Sequence, residues 1–369
     1  MRSIAFPSWV TAGDIAHNAS FICNKWQELE LAGKFGPGVQ SNPEIGLCFF
    51  EHLACTAYTG EDLPQHLAHL PASWHVHLPL DLPLYSSGGL AQAQLSFDIC
   101  NELMQKVEFL GVKQAVLHPV LAPAFYPVSA PAFYPGLAPA SYPVLAPASY
   151  PVFPSGQNEG LGASLAPKFC KPLQSEACLN SLNMLKFIDL WEDSGRKRAD
   201  LLLENRPGDD LTQLFKLAQV SGCGLCLDLA HLYMPAQNGQ YAATTGRPLY
   251  AHASALAPTS APFFASGHNS PFNVGASPAF SLHSPPSKLC AQKQELLNPD
   301  FLQMLQMVHL NAAGKKQSGH ASLACLLPEA QGEYQKIISL LPQNSTLMLE
   351  LFKWQQIEES IPFLASYLS

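Results

Sequence analysis

The chain has 369 residues, a net charge of −8, only 13% charged residues, 32 prolines and a mean hydropathy of +0.06. That length allows two domains or one large α/β barrel, and the lack of any run of 18 apolar residues excludes a conventional membrane-spanning helix. An acidic chain with 20 Lys and Arg is too poor in cations for a broad face on duplex nucleic acid, where affinity rests on neutralising many phosphates.

In chain order, apolar runs of the buried parallel-strand type fall at 4–8, 45–51, 74–80, 114–118, 200–205, 224–231, 307–311 and 346–352. Helical periodicity separates them. One helix carries Leu95, Ile99, Leu103, Val107 and Leu110; another carries Leu211, Leu214, Phe215 and Ala218, opened by a capping box of Asp210 with Gln213 and closed at Gly222. Eight strands alternating with helices predict one α/β domain over 1–369, a (β/α)8 TIM barrel. The opening Met1-Arg-Ser-Ile-Ala-Phe-Pro7 lacks a secretory signal, so a cytoplasmic location is expected. The ten cysteines sit mostly in apolar runs and are expected as buried thiols. Cys223-Gly-Leu-Cys226 has a redox or zinc spacing, but no second Cys or His pair completes it, and it reads as core.

The diluted charge and the prolines are concentrated in two places. Residues 114–158 hold no Asp, Glu, Lys or Arg, and octads at 121–128, 129–136, 137–144 and 145–152 repeat (Leu/Ser)-Ala-Pro-Ala-(Phe/Ser)-Tyr-Pro-(Val/Gly). Residues 229–287 hold Arg247 as their one such charge. Proline at this density excludes helix and sheet interiors, so 119–170 and 232–290 are expected as two long proline-rich loop insertions. The remaining length suits the roughly 250 residues of a TIM barrel. The octads read first as low-complexity sequence tolerated in a loop, and alternatively as a Tyr-rich lid or docking ribbon.

The ends of the apolar runs carry the chemistry. His77 lies in the third run and Asp81 follows it, His118 ends the fourth, Glu204-Asn205 ends the fifth with Arg206 next, Asp228 and His231 end the sixth, His309 and then His320 the seventh, and Glu350 the eighth. In a barrel these positions converge on the C-terminal rim, where active sites of this fold are built. Any one of them has a bland reading: a strand-end His is commonly satisfied structurally, Asp228 and His231 at i, i+3 suit a helix cap, and Glu51 and Asp81 suit ion pairs. Their number argues otherwise, because burying so many carboxylates and imidazoles together without a cation is costly. The expected metal ligands are His77, His118, Glu204, Asp228, His231, His309, His320 and Glu350, holding two or more divalent metal ions, zinc or manganese. His75 and His77 share one strand face, and His77 is nearer the rim.

At these residues the sequence resembles the xylose-isomerase-like barrel superfamily and, within it, the endonuclease IV branch. The matching pieces are His118-Pro119, Glu204-Asn205, Asp228-x-x-His231, His309-Leu-Asn311, His320-x-Ser-Leu323 and Leu349-Glu350. A narrower set resembles the cobamide-remodelling phosphodiesterases: Pro7-Ser8, Phe49-Phe50-Glu51, His77-Leu-Pro-Leu-Asp-Leu82, Leu203-Glu-Asn-Arg-Pro-Gly208 and Gly224-Leu-Cys-Leu-Asp-Leu-Ala-His231. That resemblance implies a metal-dependent hydrolase that opens the nucleotide loop of a cobamide at the phosphoribosyl (phosphodiester) bond and releases the lower-ligand nucleoside. Glu204 and Glu350 are then the catalytic carboxylates flanking the metals, and His75, Asp81, Asn205 and Arg206 the substrate-binding set. Lys315 and Lys316 are further candidates for holding phosphate oxygens, and Arg206 reads equally well as a plain salt-bridge partner. The expected partner is the small cobamide substrate, with no nucleic acid and no membrane; the oligomeric state is open. One departure is visible: the family pattern places an Asp one or two residues before His320, where this chain has Ser318 and Gly319. The alternative is a metal-dependent sugar isomerase or epimerase of the same superfamily; an abasic-site endonuclease is disfavoured by the net charge, and a non-catalytic scaffold by the intact ligand set.

Overall fold

The computed structural model describes residues 1–49, 62–85, 90–119, 121, 176–233, 296–313 and 320–368. The octads, most of the second insertion, Glu51, Lys315, Lys316, Ser318 and Gly319 lie outside the described residues. Runs of Ile, Leu, Val and Met with few charges form eight short strands: β1 Ile4–Pro7, β2 Glu44–Cys48, β3 Ser73–His77, β4 Gln114–Leu117, β5 Leu201–Glu204, β6 Gly224–Asp228, β7 Leu305–Leu310 and β8 Thr346–Leu349. Each pairs in parallel with its sequence neighbours, and β1 pairs with β8, which closes the barrel. The helices α1 Ile15–Glu28, α2 Leu31–Lys34, α3 Leu90–Val107, α4 Glu176–Asp193, α5 Leu211–Ser221, α6 Leu229–Tyr233, α7 Pro299–Met304, α8 Pro328–Leu340 and α9 Trp354–Leu368 lie between the strands in sequence or after the last of them. Eight parallel strands closed with helices between them make this a TIM barrel.

Local chemistry sets the boundaries. Asp210 caps α5 by accepting from the Thr212 amide at 2.9 Å, and Gly222 ends it at φ 73°, where a side chain would be strained. The Asp210 bond therefore goes to Thr212; the Gln213 amide bonds the Asp210 carbonyl at 3.0 Å. The sixth apolar run does not stay extended to His231. Its strand stops at Asp228, whose carboxylate accepts from the His231 amide at 3.1 Å and so starts α6. β3 stops at His77, two residues before Pro79, which has no N–H for the ladder.

Side chains fill the barrel rather than leaving a pore. Val116, Leu202, Cys226 and Met307 form one buried cluster from β4 to β7, and Ala5, Cys48 and Met348 form another across β1, β2 and β8. Cys223 and Cys226 are both buried and both free thiols, as the core reading requires. A polar contact closes the N-terminal end. His75 Nδ1 is 2.7 Å from Glu44 Oε1, and Thr346 Oγ1 donates to Glu44 Oε2 at 3.1 Å. Gly46 makes room for that histidine, since a Cβ there would lie 2.5 Å from His75 Nε2.

Burial raises the Glu44 carboxyl, but the hydrogen bond and charge of His75 outweigh it and hold the group below its ordinary 4.5. A depressed carboxyl adds stability above its unfolded pKa and loses it as pH falls through the folded one. Urea unfolding should therefore weaken below about pH 4.5 in the wild type. Glu44→Gln should flatten that acid limb; identical limbs would show that Glu44 carries none of it.

Candidate metal centre

The strand ends converge as the fold requires. His77 closes β3, His118 follows β4 directly, Glu204 closes β5, Asp228 closes β6, His309 lies in β7, and Glu350 follows β8; all are buried. Glu204 is the hub. Its Oε2 is 3.0 Å from His77 Nε2 and 3.3 Å from His118 Nε2, and its Oε1 is 2.9 Å from His309 Nδ1. His309 Nδ1 is also 3.2 Å from Glu350 Oε2, while His231 Nε2 lies 3.5 Å from Asp228 Oδ2. Among the described residues three groups of ligand atoms result, each within 4.8 Å: His77, Glu204 and His309; Glu204, Asp228, His309 and Glu350; Asp228, His231 and His320.

Main-chain oxygens fix the imidazoles. His77 Nδ1 contacts the Leu78 carbonyl at 3.1 Å, His231 Nδ1 the Asn205 carbonyl at 2.8 Å, and His320 Nδ1 the Glu350 carbonyl at 2.8 Å. A carbonyl can only accept, so in each ring Nδ1 carries a hydrogen and Nε2 is the atom turned to the centre. The Nε2 atoms of His77 and His231 face carboxylate oxygens, a pairing that repels unless a proton or a cation lies between. His309 shows the same conflict: its Nδ1 sits beside Glu204 and Glu350, yet neither of its nitrogens makes a hydrogen bond among the described residues, and neither does Glu350 Oε2. A proton or a cation between these atoms resolves the repulsion. The donor set, imidazole nitrogen with carboxylate oxygen, fits zinc or manganese.

The electrostatics agree. Burial raises Glu204 and Glu350, but nearby histidine charge overrides it: His309 and His118 hold Glu204 well below its ordinary 4.5, and His320 and His309 hold Glu350 at about 2. Asp228 is the strained member, raised by burial and by the charge of Glu350 and Glu204 against the pull of His231 and His320. Burial lowers His118 to about 3, with His77 and His231 adding to it against Glu204; the ring touches Glu204 but belongs to none of the three groups. Burial also opposes charge on His309, yet Cys226, Glu204 and Glu350 raise it well above 6.5. The field at the centre calls for positive charge, which a cation or a proton supplies.

The four residues expected to bind substrate are placed differently. His75 lies one pleat below His77 in the barrel interior, engaged by Glu44, so it does not reach the rim. Asp81 is exposed in the turn after β3 and belongs to none of the three groups. Asn205 is buried, and both ends of its amide are held by Asp228: Nδ2 donates to the Asp228 carbonyl at 3.0 Å and Oδ1 accepts from the Asp228 amide at 2.8 Å. It stitches β5 to β6 at the ligands. Arg206 does make an ion pair, with Asp209. Asn311 carries a role that the sequence alone leaves unassigned: its Nδ2 donates to Asp228 Oδ2 at 3.2 Å, and the Tyr334 hydroxyl holds its carbonyl at 3.0 Å. Its spacing two residues past His309, on the same strand face, was the available signal.

No protein-family model and no curated protein sequence matches this chain. Among solved structures it is similar to endonuclease IV from Thermus thermophilus, at 14% identity and a TM-score of 0.49 over 99% of both chains. It is also similar to a D-tagatose 3-epimerase-like protein, at 11% identity and 0.49 over 99% and 97% of the two chains. A third is D-allulose 3-epimerase from Methylomonas sp., at 9% and 0.48 over 99% and 98%. Likenesses this distant assign no chemistry.

Asn205→Ala removes both bonds to Asp228 and should weaken zinc or manganese affinity by about 10–100-fold, the usual effect of losing a residue that orients ligands. Chelator competition measures it, with circular dichroism as the control for folding. Because protons compete for the same lone pairs, wild-type affinity should fall as pH is lowered. A pH-independent affinity would argue against imidazole ligation.

Proposed function

We propose that this chain is a metal-dependent phosphodiesterase, and that its substrate is a cobamide whose nucleotide loop it opens to release the lower-ligand nucleoside. The sharing of residues between neighbouring groups carries this reading: Glu204 and His309 each belong to two groups, and Asp228 links the central group to the outer one. Adjacent cations sharing carboxylates suit in-line displacement at phosphorus, where attacking and leaving oxygens both need charge stabilisation. When bound, such cations lower the pKa of a water toward neutrality and neutralise phosphate oxygens. Glu204 and Glu350 hold negative charge for them, and His77, His231 and His320, each held by a carbonyl at Nδ1, turn Nε2 toward the centre. The centre is sunk in the barrel mouth and the chain is acidic, which suits a small molecule better than a nucleic acid duplex. The cobamide itself is supported by the sequence resemblance quoted above. A sugar isomerase with one cation would use the central group of Glu204, Asp228, His309 and Glu350 and leave His77, His231 and His320, the further members of the other two groups, without a role. Among the described residues no helix is long and apolar enough to cross a membrane.

Incubation of the purified protein with a cobamide and zinc or manganese should release a nucleoside and leave a cobinamide phosphate, both read by mass spectrometry. Glu204→Gln and His118→Ala should lose turnover while keeping the wild-type circular dichroism spectrum. Turnover retained in chelator-treated protein would refute the metal mechanism. A cobamide left intact while bis(p-nitrophenyl) phosphate is cleaved would keep the phosphodiesterase and reject the substrate; ketose interconversion with neither ester cleaved would favour the isomerase.

A further inference from the structure

The turn leaving β5 is built around one arginine. The Asp209 amide donates to the Arg206 carbonyl at 3.0 Å, closing a four-residue turn with Pro207 second and Gly208 third. Gly208 has φ 82°, and this pairing of Pro with a left-handed Gly is the type II pattern. The Asp209 carboxylate then bonds back onto Arg206 three times: it accepts from the main-chain amide at 2.8 Å, from Nε at 3.3 Å and from an Nη at 3.4 Å. The Asp209 side chain is 6% exposed and that of Arg206 30%. Arg206 stands two residues beyond Glu204, and its charge is one of those that lower the His118 imidazole.

The Asp209 end of the pair is buried and the Arg206 end stays partly open to solvent. The clear effect of the pair is on the guanidinium. A long side chain is fixed where the chain leaves β5, two residues past Glu204, with two of its five N–H bonds directed at Asp209. Arg is the side chain whose planar fork matches phosphate oxygens in pairs. We propose that Asp209 holds Arg206 as a preset clamp for a substrate phosphate, so that the site selects ligands carrying a phosphate group. Arg206 is the binding residue and Asp209 a positioning residue. The inference rests on the phosphodiesterase reading and specifies which group of the substrate is gripped by protein rather than by metal.

The test uses the full-length protein and inorganic phosphate. In chelator-treated protein, where no cation contributes, calorimetric titration should show phosphate binding that Arg206→Ala abolishes. Asp209→Asn keeps the shape of the turn but not the ion pair, and it should weaken phosphate binding roughly tenfold, the cost of ordering one long side chain anew. In the metal-loaded protein the same variant should raise KM for a phosphodiester by a similar factor and leave kcat near wild type. Wild-type protein that binds no phosphate, or an Asp209→Asn variant with a lower melting temperature but unchanged phosphate affinity and KM, would make the pair a plain structural contact. The two proposals fail separately: phosphate binding through Arg206 without any phosphodiester hydrolysis rejects the phosphodiesterase, whereas hydrolysis with KM unmoved in both variants rejects the clamp.

Discussion

Like charge crowded in a dry place governs this molecule. Glu204, Asp228 and Glu350 stand together at the mouth of a barrel whose interior below them is filled by Val116, Leu202, Cys226, Met307 and Met348. Three carboxylates so buried repel one another and lack water to shield them. The surrounding imidazoles offset part of this, and the upward drift of Asp228 shows that they do not offset all of it. Much of the polar structure at the rim serves that imbalance: Asn205 and Asn311 hold Asp228 from two sides, and His77, His231 and His320 turn Nε2 inward. A centre with this deficit of positive charge is prepared for cations whatever reaction it performs.

Polarity is layered along the barrel axis. At the N-terminal end Glu44 engages His75 Nδ1 and Thr346, while His75 Nε2 makes no hydrogen bond among the described residues. The apolar layer comes next, and the metal-binding groups lie above it. His75 and His77 are two residues apart on one strand face and have different fates: one meets Glu44, which Thr346 also holds, and the other meets Glu204, which several histidines share.

The fold was legible because the strands are fully buried, and buried parallel strands leave continuous apolar runs with Gly, Asp and Asn at their ends. All eight runs are strands, though the sixth ends at Asp228 because its carboxylate caps the following turn, a contest between strand and cap that apolarity does not reveal. The ligand candidates were legible for the same reason: a His or Glu directly after an apolar run has nowhere to go but the rim. The roles of neutral residues were not legible. Asn205 reads as a substrate contact because an amide at a rim can serve either purpose, and only the positions of the Asp228 amide and carbonyl decide between them. His75 is misplaced by the sequence because strand parity shows which face a side chain occupies and not how deep along the axis it sits. Asp209 gives no signal, since its effect depends on a turn that folds it back onto Arg206.

The three histidines oriented by carbonyls have an evolutionary consequence. The oxygens of Leu78, Asn205 and Glu350 that hold them belong to the main chain, so a point substitution at those positions leaves the acceptor in place. An orienting carboxylate can be erased by one codon change, whereas an orienting peptide group disappears only if the strand itself is rebuilt. The orientation of those rings is thus indifferent to which side chain the carbonyl's own residue carries. Tandem octads have accumulated a few residues from His118, and such an expansion is tolerable where the geometry of the metal ligands is written into the backbone.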